Sequence, residues 1–385
     1  MAVDHQPTFS RTSLNILILV CIVLILIFGQ SQQSSTEMAI PEPPKLNVTD
    51  WISDSQAQIW FSPKVSNTIA IEVHYLAGFA FNHEPFDAGA SHLLVSLLNQ
   101  EASIKKLPIQ FQLSVDFIEV SITLSSDPLR MSEQIKAAQQ LLYHPQLKQT
   151  WLDKAKLHIA TPLDEMWQRT FEGHPYQGPK IGTQASLSSI HRAQLQAFHK
   201  QYLHPQNAYA AISGNITLDT AKVIMERLLP KRSTPAASQI EIASAQAQNQ
   251  IEHNLALIVL DGSFEQANIL AKQMMTLCYL NEIHPRNINV LNGRINNVLV
   301  IEQWQNFRQA MDLTPNSDII RQAKRQCIKS AFDKTKNAQT LSRFLVWLNR
   351  YHLPSHFLHL QFGAIDQWQL KDWQSIKHDW LQTSD

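Results

Sequence analysis

The sequence predicts an α+β protein built from two similar halves behind an N-terminal apolar segment. Three observations carry that expectation. Runs rich in β-branched and aromatic residues alternate with helix-period runs, first from Trp51 to Leu229 and again from Leu255 to Leu381. A stretch poor in bulky apolar residues, Pro230–Gln250, separates the two series. An apolar run, Leu14–Phe28, broken only by Asn15, precedes both. Interleaved strands and helices of this kind form two packed layers around a core.

The 385 residues are enough for two domains of ordinary size, and a hydrophobic content of 44% supports real cores. Lys and Arg together number 32 and so do Asp and Glu, so bulk charge gives no reason to expect a nucleic-acid partner. Three cysteines, Cys21, Cys278 and Cys327, make neither a disulfide framework nor a metal-ligand spacing. Buried thiols are expected, with a bridge between the last two left open for an exported domain.

The apolar run is short against the roughly 17–25 residues of a membrane span. Polar flanks at Thr12, Ser13 and Gln30 complete it, so residues 14–30 are read as a membrane anchor or signal behind a tail of residues 1–13. Gly29-Gln30-Ser31 offers small residues but no alanine pair, which favours an uncleaved anchor. Arg11 precedes the run and no Lys or Arg follows before Lys45, which orients the N-terminus to the cytoplasm. The rest of a single-pass chain would then be periplasmic or extracellular. Residues 31–45, rich in Gln, Ser and Pro, read as a tether.

In the first half, Ala57–Phe61 and Thr68–Leu76 are expected strands, split by the turn-like Ser62-Pro63-Lys64. A helix opens after Gly89 and carries His92. Phe111–Leu124 holds two strand-like pieces, and Met131–Tyr143 is a helix with Ile135, Ala138, Leu141 and Leu142 on one face. Trp151–Trp167 is an expected helix that Pro162 kinks or breaks. After the loop Glu172–Gly178 come helix Ser188–Tyr202, strand Ala208–Ser213 and helix Leu218–Leu229. The second half reads as strand Leu255–Leu260, helix Phe264–Leu280, strands across Ile288–Glu302, and helices Asp318–Phe332 and Ala338–Arg350. A short strand near His359–Phe362 and a helix near Leu370–Leu381 close it. The expected domains are thus residues 46–230 and 251–385, joined by a linker at 231–250.

Several segments carry a resemblance. They are Tyr75-Leu76-Ala77-Gly78-Phe79, then Ala88-Gly89-Ala90-Ser91-His92-Leu93-Leu94, then Gly173-His174-Pro175-Tyr176-Gln177-Gly178 with Ile181-Gly182. Tyr202-Leu203-His204-Pro205-Gln206-Asn207 and Ile212-Ser213-Gly214-Asn215-Ile216 follow in order. Together they resemble the insulinase/pitrilysin zinc peptidases, the inverzincins, over about residues 45–385. The resemblance implies two homologous peptidase-like α+β domains, the second shortened, facing each other like a clamshell.

The functional residues of that family transfer poorly. An HxxEH motif starting at His92 needs a glutamate and a second histidine where the chain has Val95 and Ser96. Zinc catalysis uses about three protein ligands, an open water position and a base. The resemblance puts the third ligand at Ala160, with Asp164 and Glu165 nearby but out of register. Metal-free members that pair with a metal-bearing homologue hold substrate with an Arg and a Tyr, and those positions are Asn281 and Ile288 here. No catalytic residue, metal ligand or cofactor is therefore assigned, and His92, Val95, Ser96 and Ala160 are read as a vacated site.

Other constellations have plainer readings. His352, His356 and His359 have helical ligand spacing, but Pro354 lies inside it. His83-Glu84 reads as a solvated loop, His174 as a turn residue, and Trp368, Trp373 and Trp380 as a helix packing face. The expected function is a membrane-anchored, non-catalytic insulinase-like homologue. It would act as a peptide-binding, scaffold or regulatory subunit, docking a peptide or an active metal-bearing homologue. Two other readings stay open: an active zinc endopeptidase with unrecognised ligands, and a membrane-tethered interaction module unrelated to peptides.

Overall fold

The first half closes into a six-stranded sheet whose central strands are buried on both faces. Its strands are β1 (Thr49–Ile52), β2 (Gln58–Pro63), β3 (Thr68–Tyr75), β4 (Ile109–Leu113), β5 (Ile118–Ser125) and β6 (Ala208–Gly214), in the order β1-β2-β6-β3-β5-β4. Only the β2–β6 pair is parallel. The computed structural model describes residues 39–79, 85–157, 161–232, 247–252, 254–260, 267–283, 288–291, 293, 297–312 and 316–382. The expected anchor at 14–30, Cys21, His83-Glu84, Ala160 and most of the linker lie outside them. No helix among the described residues is long and apolar enough to cross a membrane.

Helices α1 (Ala90–Ile104), α2 (Pro128–Tyr143), α3 (Gln149–Ala155), α4 (Pro162–Thr170), α5 (Gln184–Ser189), α6 (Arg192–Tyr202) and α7 (Leu218–Leu228) complete the first half. Ile71, Val73 and Tyr75 of β3 are buried with Leu93, Leu94, Leu97 and Leu98 of α1 in one apolar core. The expected helix Trp151–Trp167 is two helices. Pro162 takes the first turn of α4, where its missing N–H costs nothing, and Thr161 and Asp164 form a capping box there. The expected helix Ser188–Tyr202 is likewise split, at Ile190 and His191, into α5 and α6.

Toward the C-terminus, β7 (Gln250–Glu252), β8 (Leu255–Leu260), β9 (Ile288–Leu291) and β10 (Asn297–Glu302) form an antiparallel sheet in the order β7-β8-β10-β9. It is accompanied by α8 (Ala267–Ile283), α9 (Trp304–Asp312), α10 (Ser317–Asp333), α11 (Ala338–Arg350), α12 (Phe357–Gln367) and α13 (Leu370–Gln382). The strand expected near His359–Phe362 is part of α12. Phe357, Leu358, Gln361, Phe362 and Ile365 are buried, which is helical periodicity, and α12 packs along α8. Cys278 on α8 and Cys327 on α10 are joined in a disulfide with Cα atoms 5.5 Å apart, correcting the expectation of free thiols. Their α8–α10 contact brings together residues that sequence spacing leaves unpaired.

One helix crosses from the second half to the first. α11 lies on the first sheet, against β2, β3 and β6. The Asn349 side-chain amide donates to the carbonyls of Gln58, 3.0 Å, and Ala210, 3.4 Å. A smaller core joins α4 and the 171–176 loop to the second sheet through Trp167, Phe171, Tyr176, Leu257 and Val298.

Candidate vacated metal site

The N-terminus of α1 is fixed by a close backbone approach. Gly89 has φ +96° and Gly182 has φ +95°, a region that L side chains rarely adopt. A Cβ on Gly89 would collide with the Ile181 carbonyl, and one on Gly182 with the Ala88 carbonyl. The hydroxyl of Ser186 donates to the Ala88 carbonyl at 2.8 Å. Asp87 accepts from Ser189 at 2.9 Å and from Gln194 at 3.0 Å. The chain entering α1 is thus held by α5 and α6.

On α1 the leucines 93, 94, 97 and 98 take the core face. His92, Ser96 and Asn99 fall at i, i+4 and i+7, so they share one stripe, and all three are half-buried. Val95, which stands where the motif has its glutamate, is 8% exposed. An alkyl side chain cannot take a proton from water, and a serine hydroxyl does not supply the zinc ligand that a second histidine would. At the end of the stripe, Asn99 is bonded to the backbone of Phe111 on β4, one of the two edge strands of the sheet.

The neighbouring carboxylates are placed for structure. Asp164 accepts from the Thr161 N–H at 2.9 Å, the Thr161 hydroxyl at 2.7 Å and the Ile181 N–H at 3.3 Å. Glu165 is exposed. His174 is buried and its Nδ1 accepts the Tyr176 N–H at 3.0 Å, in keeping with a turn residue. The Tyr176 hydroxyl donates to Asp116 at 3.0 Å. Asn281 is exposed on α8, and Ile288 begins β9 half-buried. His352 sits in the turn after α11 with φ +53°, its ring against Tyr209, whereas His359 is on α12. Among the described residues no three His, Cys, Asp or Glu side chains are grouped to hold a metal ion.

A buried ionic cluster escaped the sequence reading. On the α11-facing side of β3, Glu72 and His74 are 1% and 2% exposed. One guanidinium nitrogen of Arg350 lies 2.8 Å from His74 Nδ1 and 2.6 Å from Glu119. A guanidinium only donates, so Nδ1 accepts, and the imidazole is the neutral Nε2–H tautomer. Burial pushes the His74 pKa down, against the pull of Glu119. Glu72 accepts from Ser121 at 2.7 Å and faces Arg343 at 3.7 Å. Residues 74 and 350 lie too far apart for any spacing rule, and the only signal was a pair of polar residues at alternate positions in an otherwise apolar strand.

The profile of the peptidase M16 inactive domain matches residues 189–268. Among solved structures, the peptidase M16 inactive domain from Pseudomonas fluorescens aligns with a TM-score of 0.68 at 16% identity, covering 88% of this chain and 96% of that one. The family match over residues 189–268 and the shared fold together support a degenerate insulinase-like relationship. Two further neighbours are more distant in sequence. The first half of the periplasmic protease PqqL from Escherichia coli aligns with a TM-score of 0.62 at 11% identity, covering 89% of this chain and 90% of that one. A chain of Complex III2 from Candida albicans aligns with a TM-score of 0.67 at 13% identity, covering 86% and 93%. At such identities these structures share the fold with this chain. No curated protein matches it.

Proposed function

We propose that this M16-like chain is a non-catalytic subunit that binds a peptide or docks an active, metal-bearing homologue. The observation that carries the reading is the state of α1. The helix, its glycine-pinned entry and its half-buried stripe are kept, while Val95 and Ser96 stand where the base and second ligand belong. The match to a domain described as inactive supports it. So does the likeness to a chain of a multisubunit complex.

The finer organisation belongs to the same proposal. Residues 46–230 and 251–385 are two related domains, the second shortened, with 231–250 as connector. Residues 14–30 tether the chain to a membrane, and the rest lies in the periplasm or outside the cell, a reading supported by the likeness to a periplasmic protease. Affinity for the partner would come from buried surface rather than metal chemistry.

The test is metal content and capture on the full chain. The expected result is no stoichiometric zinc, no peptide cleavage, and co-purification with an insulinase-like homologue carrying an intact HxxEH. One equivalent of zinc that is lost in His92→Ala would overturn the non-catalytic reading. A chain that captures neither peptide nor homologue would overturn the subunit reading.

A further inference from the structure

A cavity of about 510 Å³ lies where α8, α10, α11 and the second sheet meet. Leu270, Met274 and Leu277 of α8 and Val290 of β9 give it aliphatic walls. Phe344 and Trp347 of α11 add two nearly parallel rings, 19° apart in plane. Lys334, which follows α10, lines the same space, with Nζ 5.2 Å from the Phe344 ring centre and 5.8 Å from that of Trp347.

The Lys334 ammonium is buried and makes no hydrogen bond among the described residues. Aromatic faces attract a cation, but they do not replace hydrogen-bond acceptors for its three N–H groups. An ammonium out of water without an anionic partner is costly, and the described residues provide none. Asp333 lines the cavity, but its side chain is exposed and no ion pair joins it to Lys334. Arg343, the other charged lining residue, faces Glu72 at 3.7 Å and donates to Ser121 at 3.4 Å. The cavity therefore has an apolar body, one unpartnered cationic donor, and a size within the roughly 300–1,000 Å³ of small-molecule sites.

We propose that this cavity binds a small apolar carboxylate, its head group accepting from Lys334 and its body lying against the α8 and β9 side chains. A cationic ligand would meet both Lys334 and Arg343. A neutral one would leave the ammonium without a counter-charge. A medium-chain acyl acid and the apolar C-terminal residue of a peptide share the required chemistry. The proposal stands whether or not the chain is catalytic.

The test is calorimetric titration of the full chain in lipid nanodiscs, with empty discs as reference. The probes are octanoate, octanamide, acetyl-Leu-Leu with a free carboxylate, and its C-terminal amide. At least one acid is expected to bind tenfold or more tightly than its amide, with the preference lost in Lys334→Met. Preference for octanoate identifies the acyl source, and preference for the dipeptide acid identifies a peptide C-terminus. Methionine fills similar volume and removes a buried charge, so the variant is expected to melt no lower than the parent. If it does not fold, the acid-to-amide ratio in the parent chain decides. Equal binding of acids and amides, binding of neither, or a preference that survives Lys334→Met overturns the proposal.

Discussion

The side chain of Asn99 holds both backbone groups of Phe111: Nδ2 donates to the carbonyl at 2.8 Å and Oδ1 accepts the N–H at 2.9 Å. The two groups of one strand residue point to the same side, so here they point away from β5, toward the open edge of the sheet. An amide from α1 thus does locally what another strand would do. Edge strands with free backbone groups are templates for pairing with other chains. Asn99→Ala is expected to lower stability by about 1–2 kcal/mol, since it removes two bonds to half-buried groups. It is also expected to raise self-association. Denaturant midpoints and sedimentation at several concentrations check both, and an unchanged midpoint would show that water replaces the amide at no cost.

Gly89→Ala tests the pinned entry to α1. The substitution puts a Cβ against the Ile181 carbonyl at φ +96°. A loss of at least about 2 kcal/mol is expected, because both strain and collision oppose it. Gly173 also has a positive φ, but nothing lies within 4 Å of its Cβ position. Gly173→Ala is therefore expected to cost less. Equal costs in thermal unfolding would mean that the contact with Ile181 is unimportant.

Arg350→Met should break the link between α11 and the first sheet. The Arg350 and Glu119 side chains are 6% and 22% exposed, and removing one partner of a buried pair strands the other charge. The expected loss is about 3–5 kcal/mol. Arg350→Met combined with Glu119→Gln is expected to recover part of it, because the stranded charge is then gone. If the double variant is no more stable than the single one, the loss came from packing over Phe117 and Tyr351 rather than from charge.

His199 gives the protein an acid limit. Its Nε2 lies 2.7 Å from the Leu142 carbonyl, which can only accept, so that nitrogen carries the proton of a neutral ring. Burial lowers its pKa from 6.5 to about 4. Between those values the unfolded chain binds a proton that the folded chain refuses. The contribution is therefore complete above pH 6.5 and is lost as pH falls toward 4, by up to about 3 kcal/mol. His199→Gln, measured against the parent over pH 4–8, is expected to show a flatter acid limb. Parallel curves would mean that other groups set that limb.

Much of the scaffold was legible because its signals are local. β5 alternates buried and half-buried residues along its whole length, and α11 falls on the expected residues Ala338–Arg350. α12 was misread because Phe357, Leu358, Leu360 and Phe362 form a short apolar run, in which strand and helix periods are hard to separate. The absence of an HxxEH motif was legible at His92, Val95 and Ser96, since a missing motif is visible in sequence. Asn99 and Lys334 were not, because their roles depend on partners that only the fold supplies: the edge of β4 and the rings of α11. The bridge between Cys278 and Cys327 spans a separation of 49 residues with no pattern to announce it.

The placement of α11 also governs the order in which the protein can be made. The face of the first sheet that holds Glu72 and His74 is covered by a helix that ends at Arg350. A chain emerging from the ribosome completes all six strands by Gly214, yet carries that face bare until more than a hundred further residues are synthesised. During that interval the nascent first half would be open to chaperones and proteases. A fragment ending at Leu228 would stay in that condition permanently.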